Sequence, residues 1–411
     1  MMGVPAGGRR FVSGADVVLP GQIVSGRTIV IEGDRIVDVT SAAPAPGPRD
    51  ERIDYAGALV VPGFVDVHAH GAAGADVLDG PDALAAVAAA LPRWGVTAFC
   101  PTTIACGPEP LAAFLGSVAR ARGARPPGSA RVLPAHLESN FINPEYRGAQ
   151  PLACVRTAKS PESPKSPESP KGPRTFTADE ILGEIDRHRA DVGIITLAPE
   201  IDGGMALVTR FVAAGLRVSL GHSGATFEQA QAAIASGARH ATHLFNRMSP
   251  MTHREPGLAG AVLSNEAIVA ELVCDGHHVH PAAMRVAIAA KGAAGIMAIT
   301  DGTAGSGLPR GSRVRLGGQE ITTGDVARLA DGTIAGSVLT MDRAFATLVT
   351  ACGLTLADAA ELCATTPARE LGLHGHGVIA PGAVADFVVL DAQLAVRATW
   401  IAGVQAWGVK M

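Results

Sequence analysis

The sequence predicts an α/β protein: a (β/α)8 TIM-like barrel with a small β-sandwich domain built from both chain ends. Three observations predict it. Short apolar runs alternate with helix-like segments through the centre of the chain, as parallel β/α architecture requires. Both ends read instead as short alternating strands with Gly or Asp turns. Metal- and proton-handling side chains recur just after the central strands, where a barrel gathers its loops into one mouth.

The elements follow in order. Asp16–Leu19, Thr28–Glu32 and Arg35–Thr40 are short alternating runs, with a turn at Glu32-Gly33-Asp34. The far end mirrors them in Val378–Gly382, Ala385–Leu390 and Val396–Ile401. Residues 1–61 and 375–411 are therefore expected to form one accessory β-domain, with the barrel, 62–374, inserted between them. Within the barrel, Ala83–Leu91 reads as a helix, and Thr97–Cys100 and Val132–Leu137 as buried strands. Arg217–Leu220 is a strand, Thr226–Ser236 a helix and Arg239–Leu244 the next strand. Ala267–Cys274, Pro281–Lys291 and Gly295–Thr300 continue the strand–helix–strand pattern. One segment breaks it: residues 160–171 read SPESPK twice over. Such a stretch has nothing to bury, so a solvated, flexible insertion at about 156–174 is expected.

Composition narrows the function. With 34 basic and 38 acidic side chains the net charge is −4, which gives no field to attract nucleic acid or an anionic membrane. Aromatics are only 4%, so stacking platforms for single strands are not expected. Six cysteines with no C-x-x-C pair read as reduced thiols of a cytoplasmic protein. There is no signal-peptide pattern and no apolar run of about 18 residues to span a membrane.

Three motifs carry chemistry. In Pro62–Gly71 (PGFVDVHAHG), His68 and His70 stand two apart on a strand, so both rings point to one face and can grip one metal ion. Second, polar residues follow successive strands: Glu138, His222, His243, Asp275 with His278, and Asp301. Each alone reads as a cap or a loop residue. Together at one mouth, Glu, His and His suit a Zn²⁺ or Fe²⁺ site with a position open for water. Asp301 then suits the general base that takes the water's proton and returns it to a leaving amine. Third, Asn246 and the Arg254 guanidinium suit a phosphate. No G-x-G-x-x-G, Walker A or G-x-S-x-G motif is present, so neither a nucleotide cradle nor a serine nucleophile is expected.

In this order the motifs resemble the amidohydrolase superfamily, and within it the deacetylases of N-acetylglucosamine 6-phosphate. PGFVDVHAHG is the broad signature. HLE (136–138), GHS (221–223), ATHLFN (241–246), HREPG (253–257), DGHHV (275–279), TDGTAGSG (300–307) and AGSVLTMDRA (335–344) carry the narrower likeness. The resemblance implies Glu138, His222 and His243 as principal metal ligands, His68 and His70 as a second metal position, and Asp301 as acid/base. It implies substrate contacts at Ala149, Gln150, Asn246, Arg247, Arg254, Asp275, Gly276, His277, His278, Ile334, Ala335 and Gly336. It further implies one or two divalent ions per chain, Zn²⁺ first, with Fe²⁺, Mn²⁺ or Co²⁺ also suited. The partners it implies are a phosphorylated amino sugar and a second copy of the chain, with Arg254 reaching the neighbouring active site of a homodimer. The implied reaction is hydrolysis of the N-acetyl amide to the free amine and acetate. Hydrolysis of another N-acyl amino sugar phosphate or an N-acyl amino acid is the alternative, and a non-catalytic scaffold a further one. Three departures from the family pattern fall together: Ser139-Asn140 replaces Gly-Pro, Gln150 replaces a sugar-facing His, and the SPESPK repeat follows. The altered Ser139 is expected to move the loop beside Glu138.

Overall fold

The computed structural model describes residues 8–158 and 176–408. The SPESPK repeat and most of the insertion expected at 156–174 lie outside the described residues.

Eight parallel strands form the barrel: β1 Phe64–Ala69, β2 Val96–Thr103, β3 Ala135–Glu138, β4 Val192–Leu197, β5 Arg217–Leu220, β6 His240–Ala241, β7 Val269–Val273 and β8 Ile296–Ile299. Each pairs in parallel with the next in chain order. The ring is closed where the Asp301 amide donates to the His68 carbonyl (3.0 Å) and Ala69 bridges Gly302. β1, β2, β4 and β7 are buried along their whole length, because helices cover the outside and side chains fill the inside. Aliphatic residues dominate that core, as the low aromatic content requires.

The helix ends have local causes. Phe227–Ala235 starts at Thr226, whose side chain and that of Gln229 cap each other's backbone amides. Pro281–Lys291 starts on proline after the His280 cap and ends at Gly292. β6 is only two residues long where a longer strand is expected. The chain leaves it at once through left-handed residues, His243 (φ 30°), Phe245 (φ 76°) and Arg247 (φ 52°).

The two chain ends share one six-stranded sheet. Its order is 404–408, 396–401, 387–390, 59–62, 16–19, 22–24. A four-stranded sheet, 35–40, 28–32, 9–13, 51–54, packs with it around Val12, Ile29, Val60, Phe387 and Trp400 in a sandwich-like arrangement. Trp400 stacks on Phe387 and donates to the Tyr55 hydroxyl at 3.0 Å. Val378–Gly382 is a turn and not a strand, since Pro381 cannot donate and Gly382 is left-handed (φ 87°). A hairpin, Arg313–Leu316 with Gln319–Thr322, was not expected from the sequence. No helix among the described residues is long and apolar enough to cross a membrane.

Candidate metal centre and active site

Strand ends deliver the side chains. Glu138 closes β3, His222 and His243 follow β5 and β6, Asp301 follows β8, and His68 and His70 come from β1. His222 (φ 48°), His243 and Asp301 (φ 48°) are left-handed, a conformation that costs non-glycine residues about 1–3 kcal/mol and collects at functional sites.

Glu138 Oε1 meets His222 Nε2 at 2.8 Å and His243 Nε2 at 2.9 Å, and the two ring nitrogens are 3.1 Å apart. Next to them, His70 Nε2 lies 3.2 Å from both His68 Nε2 and Asp301 Oδ1, and 3.7 Å from Glu138 Oε2. Among the described residues the structure thus forms two adjoining clusters here, Glu138–His222–His243 and His68–His70–Asp301, each with its ligand atoms within 4.8 Å of one another, and a third group of the same kind, His68–His136–Glu271, shares His68.

The opposite ring edges show what these clusters want. His222 Nδ1 faces the Tyr146 carbonyl (2.8 Å), His243 Nδ1 the Asn246 carbonyl (3.1 Å), and His70 Nδ1 the Thr102 carbonyl (3.1 Å). His68 Nδ1 faces Glu271 Oε2 at 2.9 Å. A carbonyl or a carboxylate only accepts, so every Nδ1 must carry the proton. The neutral ring then turns a lone pair at Nε2 toward carboxylate lone pairs. That arrangement is repulsive unless positive charge lies between them, and a divalent cation supplies it. The donor set fits such an ion.

The electrostatics show the same demand for positive charge, which a second proton on the ring also meets. Burial opposes charge on His243 and His70, yet Glu138 and Asp301 hold each at about 9. At His68 burial prevails over the pull of Asp301 and Glu138 and brings it down to about 4, with the charge on His70, 3.2 Å away, adding to the fall. Burial also opposes charge on Glu138, but His222 and His243 keep its carboxyl well below the usual range. Asp301 is likewise lowered against its burial by His68 and His70.

A cavity of about 690 Å³ opens over these groups. Ala149, Gln150, Asn246, Arg247, His278, Ile334 and Gly336 line it, as the sequence leads one to expect. Asp275, Gly276, His277 and Ala335 do not. Asp275 acts behind the wall: its Oδ2 accepts from His278 Nδ1 at 2.6 Å, leaving buried His278 Nε2 unpartnered at the cavity. Asp275 and His277 line a separate cavity of about 410 Å³. Arg254 is exposed and lines neither.

Ser139 and Asn140 are tied into the loop beside Glu138. Both are buried. Ser139 Oγ donates to the Thr196 carbonyl (2.5 Å), and Asn140 Nδ2 to the Cys106 (2.7 Å) and Cys154 (2.8 Å) carbonyls. The side chains that replace Gly-Pro therefore pin the loop.

Glu271 escaped the sequence reading. It is fully buried inside the barrel, orients His68, and stands beside His136, whose Nε2 begins a hydroxyl chain through Thr196, Thr242 and Ser219. Its signal was available: a lone acid in the buried strand Val-Ala-Glu-Leu-Val. The cavity residues Ile104, Tyr146, Phe245 and Leu316 carried no such signal.

The comparisons with known proteins agree with this architecture. The model of the amidohydrolase family matches residues 59–406. The N-acetylglucosamine-6-phosphate deacetylase of Danio rerio is 36% identical, over 88% of this chain and 87% of the relative. The N-acetylgalactosamine-6-phosphate deacetylase of Escherichia coli O157:H7 is also 36% identical, over 90% of this chain and 93% of the relative. A solved Mycobacterium smegmatis N-acetyl-D-glucosamine-6-phosphate deacetylase, a mutant in complex with N-acetyl-D-glucosamine-6-phosphate, matches with a TM-score of 0.85 and 33% identity. It covers 97% of this chain and 100% of its own. The Thermotoga maritima N-acetylglucosamine-6-phosphate deacetylase matches with a TM-score of 0.82 and 30% identity, over 97% and 100%. The chain belongs to the amidohydrolase family.

Proposed function

We propose that this protein hydrolyses the N-acetyl amide of N-acetylglucosamine 6-phosphate to glucosamine 6-phosphate and acetate. The observation that carries the reading is the convergence of Glu138, His222 and His243 with Asp301 at the floor of one cavity. Relatives that cover nearly the whole chain are named for this reaction.

Glu138, His222 and His243 would hold one divalent ion, and His68 with His70 a second; Zn²⁺ is our first choice over Fe²⁺, Mn²⁺ or Co²⁺. Such an ion lowers the pKa of water and polarises an amide carbonyl. Asp301 takes the proton of the attacking water and passes it to the departing sugar nitrogen, so that C–O formation and C–N cleavage leave acetate and a free amine. His278, with its Nδ1 proton held by Asp275, aims Nε2 at the reacting amide. Asn246 and the Arg247 backbone face the phosphate. Exposed Arg254 serves the neighbouring subunit of a homodimer. Ala149, Gly276, His277, Ile334, Ala335 and Gly336 belong to the segments around the sugar. Residues 1–61 and 375–411 act as an accessory domain that braces the barrel, and the protein works in the cytoplasm. Neither nucleic acid nor membrane is a partner.

The relative named for N-acetylgalactosamine 6-phosphate is as similar in sequence, which favours the 4-epimer as the second reading. Acetate release from the two phosphorylated epimers and from unphosphorylated N-acetylglucosamine, beside a count of metal ions per chain, tests both. Turnover of a phosphorylated sugar only, lost on chelation, is expected. A metal-loaded protein inactive on all three refutes the substrate reading, and a metal-free protein refutes the hydrolase reading.

A further inference from the structure

Gln150 is buried, lines the cavity, and stands where the family pattern has a sugar-facing His. Both ends of its side chain are already engaged. The Ala105 backbone amide donates to Gln150 Oε1 at 2.7 Å. That contact fixes the amide's orientation, since a backbone N–H must meet the oxygen and not the nitrogen. Gln150 Nε2 therefore faces Glu138 and donates to its Oε2. The backbone is held as well: the Gln150 amide donates to the Arg147 carbonyl (3.0 Å), and the Gln150 carbonyl accepts from Arg147 Nη1 (3.0 Å).

The two oxygens of Glu138 are thus divided. Oε1 meets His222 and His243, while Oε2 is covered by the Gln150 amide. We propose that Gln150 is a positioning residue for Glu138 and not a contact to the sugar: its amide turns Oε1 toward the two imidazoles and fixes the carboxylate plane. An amide suits the task because it donates and accepts at once and keeps both roles at every working pH. A hydrogen bond from outside to a ligating carboxylate sets its orientation, and losing such a partner typically weakens metal binding about 10–100-fold. This inference rests on the metal-centre reading above but not on the identity of the sugar.

The test separates the two roles of Gln150. Gln150→Met keeps the volume and removes both hydrogen bonds. The apo protein is titrated with Zn²⁺ against a chromophoric chelator, and the reloaded enzyme is assayed for kcat and KM. A positioning role predicts Zn²⁺ binding about 10–100-fold weaker. It also predicts a reduced kcat at saturating metal and a KM within twofold of the parent. Gln150→His, which keeps one N–H donor, should recover most of the metal affinity. Unchanged Zn²⁺ affinity with a raised KM overturns the proposal, because that is how a lost sugar contact reads. Should Gln150→Met not fold, Gln150→Asn, which keeps the amide but shortens its reach, is read by the same criteria. Because the Zn²⁺ titration needs no substrate, a wrong sugar shows as absent turnover with the affinity loss intact.

Discussion

Glu138 and Asp386 are both buried carboxylates crowded with nitrogen, and they do opposite things. Asp386, at the seam between barrel and sandwich, accepts from Nη1 and Nη2 of Arg131, from His376 Nδ1 at 3.0 Å, and from the Ala402 amide at 2.7 Å. A guanidinium and a backbone amide can only donate, so the carboxylate is satisfied by the protein alone. Glu138 meets imidazole nitrogens whose protons are committed on the far edge of each ring. Apart from the Gln150 amide on Oε2, it is satisfied only when a further positive charge, an added proton or a metal ion, joins it at Oε1. The number of neighbours does not tell a structural carboxylate from a functional one. Whether those neighbours bring their own protons does.

The largest effect should come from breaking the Glu138 cluster. His222→Ala is expected to lose the ion held with Glu138 and His243 and to bring turnover below detection, while elemental analysis shows the deficit. Asp301→Asn should keep that ion and still cost about 10²–10⁴-fold in kcat, the range for a removed general base; near-normal turnover would mean another group moves the proton. At the structural carboxylate, Asp386→Ala strands Arg131 and His376 and should cost about 3–5 kcal/mol in urea unfolding. The folded fraction should retain the parent's metal content. The same carboxyl predicts a pH limb. Arg131 and His376 hold its folded pKa below the usual value despite burial. Its contribution is therefore complete above the unfolded pKa and is lost as pH falls through the folded one. Asp386→Asn should flatten the acid side of the stability curve. The smallest effect concerns the second cluster. Glu271→Gln removes the charge that orients His68 and should weaken a second ion about 10–100-fold while sparing the first. Equal loss of both ions would erase the distinction between the clusters.

The barrel was legible because its strands are short, continuous apolar runs ended by polar residues. Arg217–Leu220 and Pro281–Lys291 match the expected bounds, since Gly215 and Gly292 punctuate them. β4 was missed because Val192–Leu197 follows the biased insertion and carries no chemical residue at its end. The hairpin at 313–322 did carry a signal that went unread, the runs RVRL and QEIT on either side of Gly317-Gly318. At the site, residue types were readable but contacts were not. Asp275 was expected to face the sugar and instead orients His278. Ser139 was read as able to shift a loop, and the contact that the spacing could not give is its hydroxyl's bond to the Thr196 carbonyl, which fastens that loop. Sequence spacing cannot say on which side of a wall a hydrogen bond closes.

The shared six-stranded sheet also bears on synthesis. Strand Leu59–Pro62 lies between Asp16–Leu19 and Phe387–Leu390, and Tyr55 receives its bond from Trp400, 345 residues later. On a ribosome, the first sheet stays half-built while the barrel strands emerge one after another. Contacts of such long range form late, because the loop they close must be ordered first. The sandwich is therefore the latch fastened last, and until it closes Val60 and Val61 present an apolar strand edge that a chaperone, or another nascent chain, can reach first.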